Sequence, residues 1–196
     1  MGTDCASRVA NLHLLFYELE YILRTRASNY GICLALRNVF RYIDDITAIN
    51  DKGEFEQNIG NIYLASLELC KVNSCNHSAD VLDISVSINN NKFKTKLYDK
   101  RNDFNFETNN FPHYNSNMPS NMLYNCFSSQ ILRYSRICSE CVDFLFNSKL
   151  LYNKLEMKNY STERLLHTAK QTFRRNQQIA TKFSLSETEF LKNFEQ

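Results

Sequence analysis

No apolar run in this 196-residue chain approaches the roughly 20 residues that a bilayer-spanning helix needs. Nor is there an apolar stretch at the start, where charged Asp4 and Arg8 stand in the place a secretory leader would keep apolar. The expected location is therefore intracellular, nuclear or cytoplasmic, with no membrane partner. Proline is scarce: Pro112 and Pro119 are the only two, and both fall within residues 102–121 beside seven asparagines, so that stretch reads as a long irregular connection. An excess of one charge is also missing, because 23 Lys and Arg against 21 Asp and Glu leave +2, too little to imply a polyanionic partner by itself. The seven cysteines are an odd number without a leader, which argues against a disulfide framework. Cys138-x-x-Cys141 has no second CxxC pair at finger spacing, and Cys70, Cys75 and His77 make no convincing zinc set, so buried or half-buried thiols are expected. No internal repeat is evident.

What is present suffices for a core, with 43% hydrophobic residues. The pattern predicts an α+β protein, mixed to about residue 110 and helical afterwards. Val9, Leu12, Phe16, Leu19 and Ile22 recur at helical spacing and predict a long amphipathic helix over 5–26, capped by Thr3 or Asp4. Phe55, Ile59, Ile62 and Tyr63 mark a shorter helix after the turn at Asp51-Lys52-Gly53, and 67–72 reads as a strand. Residues 81–88 and 93–98, joined by Asn89-Asn90-Asn91, predict a β-hairpin. Its lysines, Lys92, Lys94 and Lys96, fit edge protection and a phosphate contact equally well.

Beyond Ser120 an unbroken apolar periodicity runs from Leu123 to Leu145, and Ser161 or Thr162 opens a further helix with Leu165, Leu166, Ala169 and Phe173. Residues 184–196 carry two capping boxes and are expected as a loosely packed helix or a frayed tail. The expected organisation is 1–105, a connection over 106–120, a helical region over 121–182 and a tail over 183–196. Between 129 and 182 ten basic residues face four acidic ones, a local excess of +6.

The most informative stretch is Phe40-Arg41-Tyr42-Ile43-Asp44-Asp45-Ile46. Aromatic and β-branched residues favour strands over 39–42 and 46–49, which sets the adjacent aspartates at the bend between them. Asp-Asp is ordinary turn chemistry. Paired carboxylates in an apolar run are also what hard divalent cations use as ligands.

The string resembles the palm motif of reverse transcriptases, which reads aromatic, any residue, Asp, Asp. Met1-Gly2-Thr3-Asp4-Cys5-Ala6, followed by Val9-Ala10-Asn11-Leu12 and Tyr17-Glu18, is similar to the preceding motif in the Penelope-like and related retroelement group. Val81-Leu82-Asp83-Ile84, the segment from Lys96 to Phe104, and the segment from Ser129 to Cys138 resemble the same group in order, giving five blocks over residues 1–140.

The resemblance implies a partial right-hand palm followed by a helical thumb, with RNA template and DNA primer as partners. Asp44 and Asp45 would be catalytic and would hold Mg2+, with Asp44 the more essential. Gly2 and Tyr42 would lie near the nucleotide or template, and Lys96, Lys100, Arg101, Arg133 and Arg136 would contact nucleic acid. The family's third carboxylate precedes the block matching Met1 and, like the fingers, is not in this sequence. Ser7 replaces an expected proline, and Arg8 a usually apolar residue. The expectation is a reverse transcriptase fragment that is inactive alone, the alternative a non-catalytic nucleic-acid-binding relic or decayed retroelement product.

Overall fold

The helical spacing that follows Cys5 becomes α1 (Ala6–Ser28), a helix of 23 residues. In the computed structural model, which describes residues 5–73, 75, 77–105 and 111–195, α1 opens the first of two compact units, Met1–Val72 and Asn73–Gln196. Among the described residues the chain is α+β, with eight α-helices and two small antiparallel sheets. No helix of those residues is long and apolar enough to cross a membrane. Thr3 and Asp4, the expected caps of α1, lie outside the described residues, and Cys5 at the N-cap makes no side-chain cap.

The first unit continues through α2 (Tyr30–Ala35), the hairpin β1 (Val39–Tyr42) and β2 (Asp45–Ala48), and α3 (Glu54–Ile62). The Asp51 carboxylate accepts the Phe55 N–H at 3.1 Å and so caps α3, while Gly53 turns the chain at φ 88°, a value that suits a residue without Cβ. The core is small. Tyr21, Phe55, Ile62 and Tyr63 are buried, with Leu14, Val39 and Ile46 packed against them. The stripe expected to pack α1 faces outward instead, leaving Leu12 67% and Phe16 62% exposed. The opposite face, carrying Asn11, Leu14, Glu18 and Tyr21, is the one that meets the hairpin and α3. Arg8 is exposed, which removes the cost of a charge on a packed face. Residues 67–72 do not form a strand.

In the second unit, β3 (Ser78–Val81), β4 (Ile84–Asn89) and β5 (Lys92–Leu97) form a meander in the order β3-β4-β5. Asn90 and Asn91 both hold positive φ, 50° and 58°, the geometry that a two-residue turn of matching twist demands. Five helices follow: α4 (Ser120–Ile137), α5 (Cys141–Glu156), α6 (Thr162–Arg175), α7 (Gln177–Phe183) and α8 (Glu187–Glu195). The single helix expected through residue 145 is broken at Cys138, whose backbone is extended. There Ser139 N–H donates to the Thr95 carbonyl at 2.8 Å, and the Thr95 hydroxyl donates to the Ile137 carbonyl, so hydrogen bonds to β5 replace those of a continuing helix. Cys138 and Cys141 therefore do not share one helix face. Cys138 is fully buried, and burial pushes its thiol up.

Leu97 ties the sheet to the helical core. The centre of that core is aromatic: Phe144 stacks on Phe183 at 4.9 Å and on Phe190 at 5.7 Å. The expected loose tail is thus part of the core. Its helix starts with a capping box, in which Glu189 accepts the Ser186 N–H at 2.9 Å and Ser186 accepts the Glu189 N–H at 3.2 Å.

Tyr134 lies in this core, only 9% exposed, and burial pushes its phenol up to about 12. A folded-state value above the ordinary one near 10 means the contribution is complete below about pH 10 and is lost as the pH rises towards 12. Thermal unfolding of the wild type is expected to fall through that window more steeply than that of Tyr134→Phe. Equal slopes would show that the Tyr134 phenol does not carry the effect.

Candidate functional site

Alternation along the hairpin decides which side chains can serve a site. Register pairs Tyr42 with Asp45 and Arg41 with Ile46. Phe40, Tyr42 and Asp45 therefore share one face, and Val39, Arg41 and Ile46 the other. Val39 and Ile46 pack on the small core, so Tyr42 and Asp45 project away from it, and Tyr42 is 60% exposed. Asp44 occupies the second position of the two-residue turn and, like Asp45, is exposed. Among the described residues neither carboxylate is hydrogen-bonded or ion-paired to a protein group.

The turn is strained. Ile43 holds φ at 56°, a region that β-branched residues rarely enter. Arg41 braces it from behind. The guanidinium donates to the Ile43 carbonyl at 3.1 Å, to Glu18 Oε1 at 2.6 Å and Oε2 at 3.2 Å, and to the Asn11 side chain at 2.6 Å. Asn11 and Glu18 are seven residues apart on α1 and so lie on one face, the spacing that lets one helix grip one planar cation. The Tyr63 hydroxyl completes the cluster by donating to Glu18 at 2.7 Å. Burial and the Glu18 carboxylate together push the Tyr63 phenol well up, and Glu18 raises Arg41 in turn. With side chains only 11% and 22% exposed, Arg41 and Glu18 form a pair that water screens poorly.

Arg41 did not stand out in the sequence as a functional residue. The available signal was its position between two aromatic residues of a strand, which sends it to the face opposite Tyr42.

Magnesium takes hard oxygen ligands, and the chemistry of the two exposed carboxylates fits. The number does not complete a set: no cluster of three or more His, Cys, Asp or Glu that could hold a metal ion occurs among the described residues. Gly2 lies outside those residues.

The five residues expected to contact nucleic acid divide. Arg133 is ion-paired to Asp83, and Arg101 to Asp99 at 2.6 Å, which holds the Asp99 carboxyl below the usual range. Lys96, Lys100 and Arg136 are exposed and have no carboxylate partner among the described residues. In the lysine row, Lys94 pairs with Glu140 at 3.2 Å. The turn at Leu82-Asp83 repeats the device of the acidic hairpin, an aliphatic residue at φ 56° followed by Asp, but here the aspartate is neutralised by Arg133.

Comparisons with models of protein families, with curated proteins and with solved structures find no match.

Proposed function

We propose that the chain is the palm-and-thumb portion of a retroelement reverse transcriptase, with the acidic hairpin as part of its metal site. The observation that carries the reading is the strained turn at Ile43, held by Arg41 and presenting Asp44 and Asp45 without a counter-charge among the described residues. Strain of this kind, on the order of 1–3 kcal/mol, persists where surrounding structure enforces it and is concentrated at functional sites. The uncovered apolar face of α1, with Leu12, Phe16 and Leu23 all more than 60% exposed, supports the same reading, because a palm helix is covered by further elements of a complete polymerase.

Asp44 and Asp45 would hold magnesium. When bound it would activate a primer 3′ hydroxyl and stabilise charge on the transferred phosphoryl group. Tyr42, on the face of Asp45, would lie beside the nucleotide. The partners would be an RNA template and a DNA primer, gripped through the basic helical unit.

With two of the three carboxylates such chemistry needs, the purified chain is expected to give no template-dependent product in a primer-extension assay with magnesium and all four deoxynucleotides. Processive extension would overturn the proposal of an incomplete site. A second reading, a nucleic-acid-binding relic, draws on the basic excess alone. Salt-sensitive binding of a primer–template duplex that is indifferent both to magnesium and to Asp44→Ala would favour it.

A further inference from the structure

A cleft of about 350 Å³ runs between α4 and α6 in the second unit, and none of the site residues considered so far lines it. Its walls follow helical spacing: Asn121, Asn125 and Ser128 on α4 face Arg164, His167 and Arg175 on α6. No Asp or Glu is among the described residues that line it. Arg164 is held in place, its guanidinium stacked 4.3 Å from the centre of the Tyr124 ring while donating to the Asn121 side chain. Neither Arg164 nor Arg175 has a carboxylate partner among the described residues, whereas Lys170 and Arg174 on the same helix share Glu187. Two cations are therefore left unneutralised, one of them pre-oriented, in a cleft otherwise lined mainly by amides and hydroxyls.

We propose that this cleft binds a single strand of nucleic acid through its phosphates. Arg164 and Arg175 are eleven residues apart on α6, about 16 Å at the helical rise, too far to converge on one small anion but suited to two phosphates a few nucleotides apart on one strand. A cleft of about 350 Å³ is at the small end of ligand clefts, with room for part of one strand and not for a duplex. Asn121, Asn125, His167 and Gln171 offer donors and acceptors to sugars and bases with no fixed pattern, as sequence-tolerant binding requires. The inference does not depend on the acidic hairpin and makes no use of Lys96, Arg133 or Arg136.

The test is fluorescence anisotropy of a labelled oligothymidylate with the intact chain across a salt series. Each phosphate contact to a single strand contributes about 0.7 to the slope of log affinity on log salt. The double variant Arg164→Gln/Arg175→Gln is expected to lose about 1.4 from that slope and about tenfold in affinity at low salt. Asn125→Asp, which places a negative charge on the α4 wall and leaves Arg164 on Tyr124, is expected to weaken binding too; it decides the matter if the double variant is unfolded. Arg133→Gln/Arg136→Gln is expected to change binding less than the double variant. The proposal is overturned if the oligonucleotide does not bind, if the cleft variants bind with unchanged slope, if the Arg133/Arg136 variant loses as much, or if pyrophosphate or duplex of equal length competes as well as the single strand.

Discussion

Arg41→Ala is expected to destabilise the acidic hairpin by about 3 kcal/mol, the scale of removing one partner from a poorly solvated ion pair. Loss of the guanidinium leaves Glu18 with only the Tyr63 hydroxyl among its described partners and removes the side-chain donor from the Ile43 carbonyl at the strained position. The damage is local, so hydrogen exchange is the suitable readout: amides of β1 and β2 are expected to exchange about a hundredfold faster, while those of the second unit stay as they are. Arg41→Lys is expected to fall between, because one ammonium cannot serve Glu18, Asn11 and Ile43 together. Unchanged exchange in the hairpin of Arg41→Ala would show that the turn does not depend on this brace.

Phe190→Ala is expected to cost the second unit about 3–5 kcal/mol and to lower its unfolding temperature on the order of 10 °C. Phe190 is fully buried and meets Phe144, Phe173 at 5.0 Å and Phe194 at 5.1 Å, so its removal opens a cavity shared by α5, α6 and α8. Asn193 also fastens α8 by donating to the Leu145 carbonyl at 3.0 Å. A cost below about 0.5 kcal/mol, the ordinary range for a surface change, would mean that α8 is a dispensable tail.

Features decided by neighbours in sequence were legible. The Asn90-Asn91 turn, the Ser161 cap on α6, the Ser186 capping box and the bend at Asp44 all follow from local chemistry, and each occurs where residue type alone places it. Choices between competing long-range partners were not. α1 is apolar on more than one side, and its periodicity names the face with Leu12 and Phe16, although the hairpin packs on the face with Glu18 and Tyr21. The helix break at Cys138 is imposed by Thr95, more than forty residues earlier, through hydrogen bonds that no local propensity encodes. β3 escaped because Ser78-Ala79-Asp80 has no strand-forming run, and its pairing with β4 supplies the order. At the site itself the carboxylates were visible and their support was not, since Arg41, Glu18, Asn11 and Tyr63 meet only once the chain is folded.

Asp44 and Asp45 are proposed as part of a divalent-metal site. Manganese binding to the intact chain, followed by water proton relaxation, tests it most directly, with Asp44→Asn and Asp45→Asn as isosteric variants that keep the turn and remove a charge. Saturable binding that magnesium displaces is expected, weakened by either substitution and more by Asp44→Asn. Binding that is absent from the wild type, or equal in all three proteins, would contradict it.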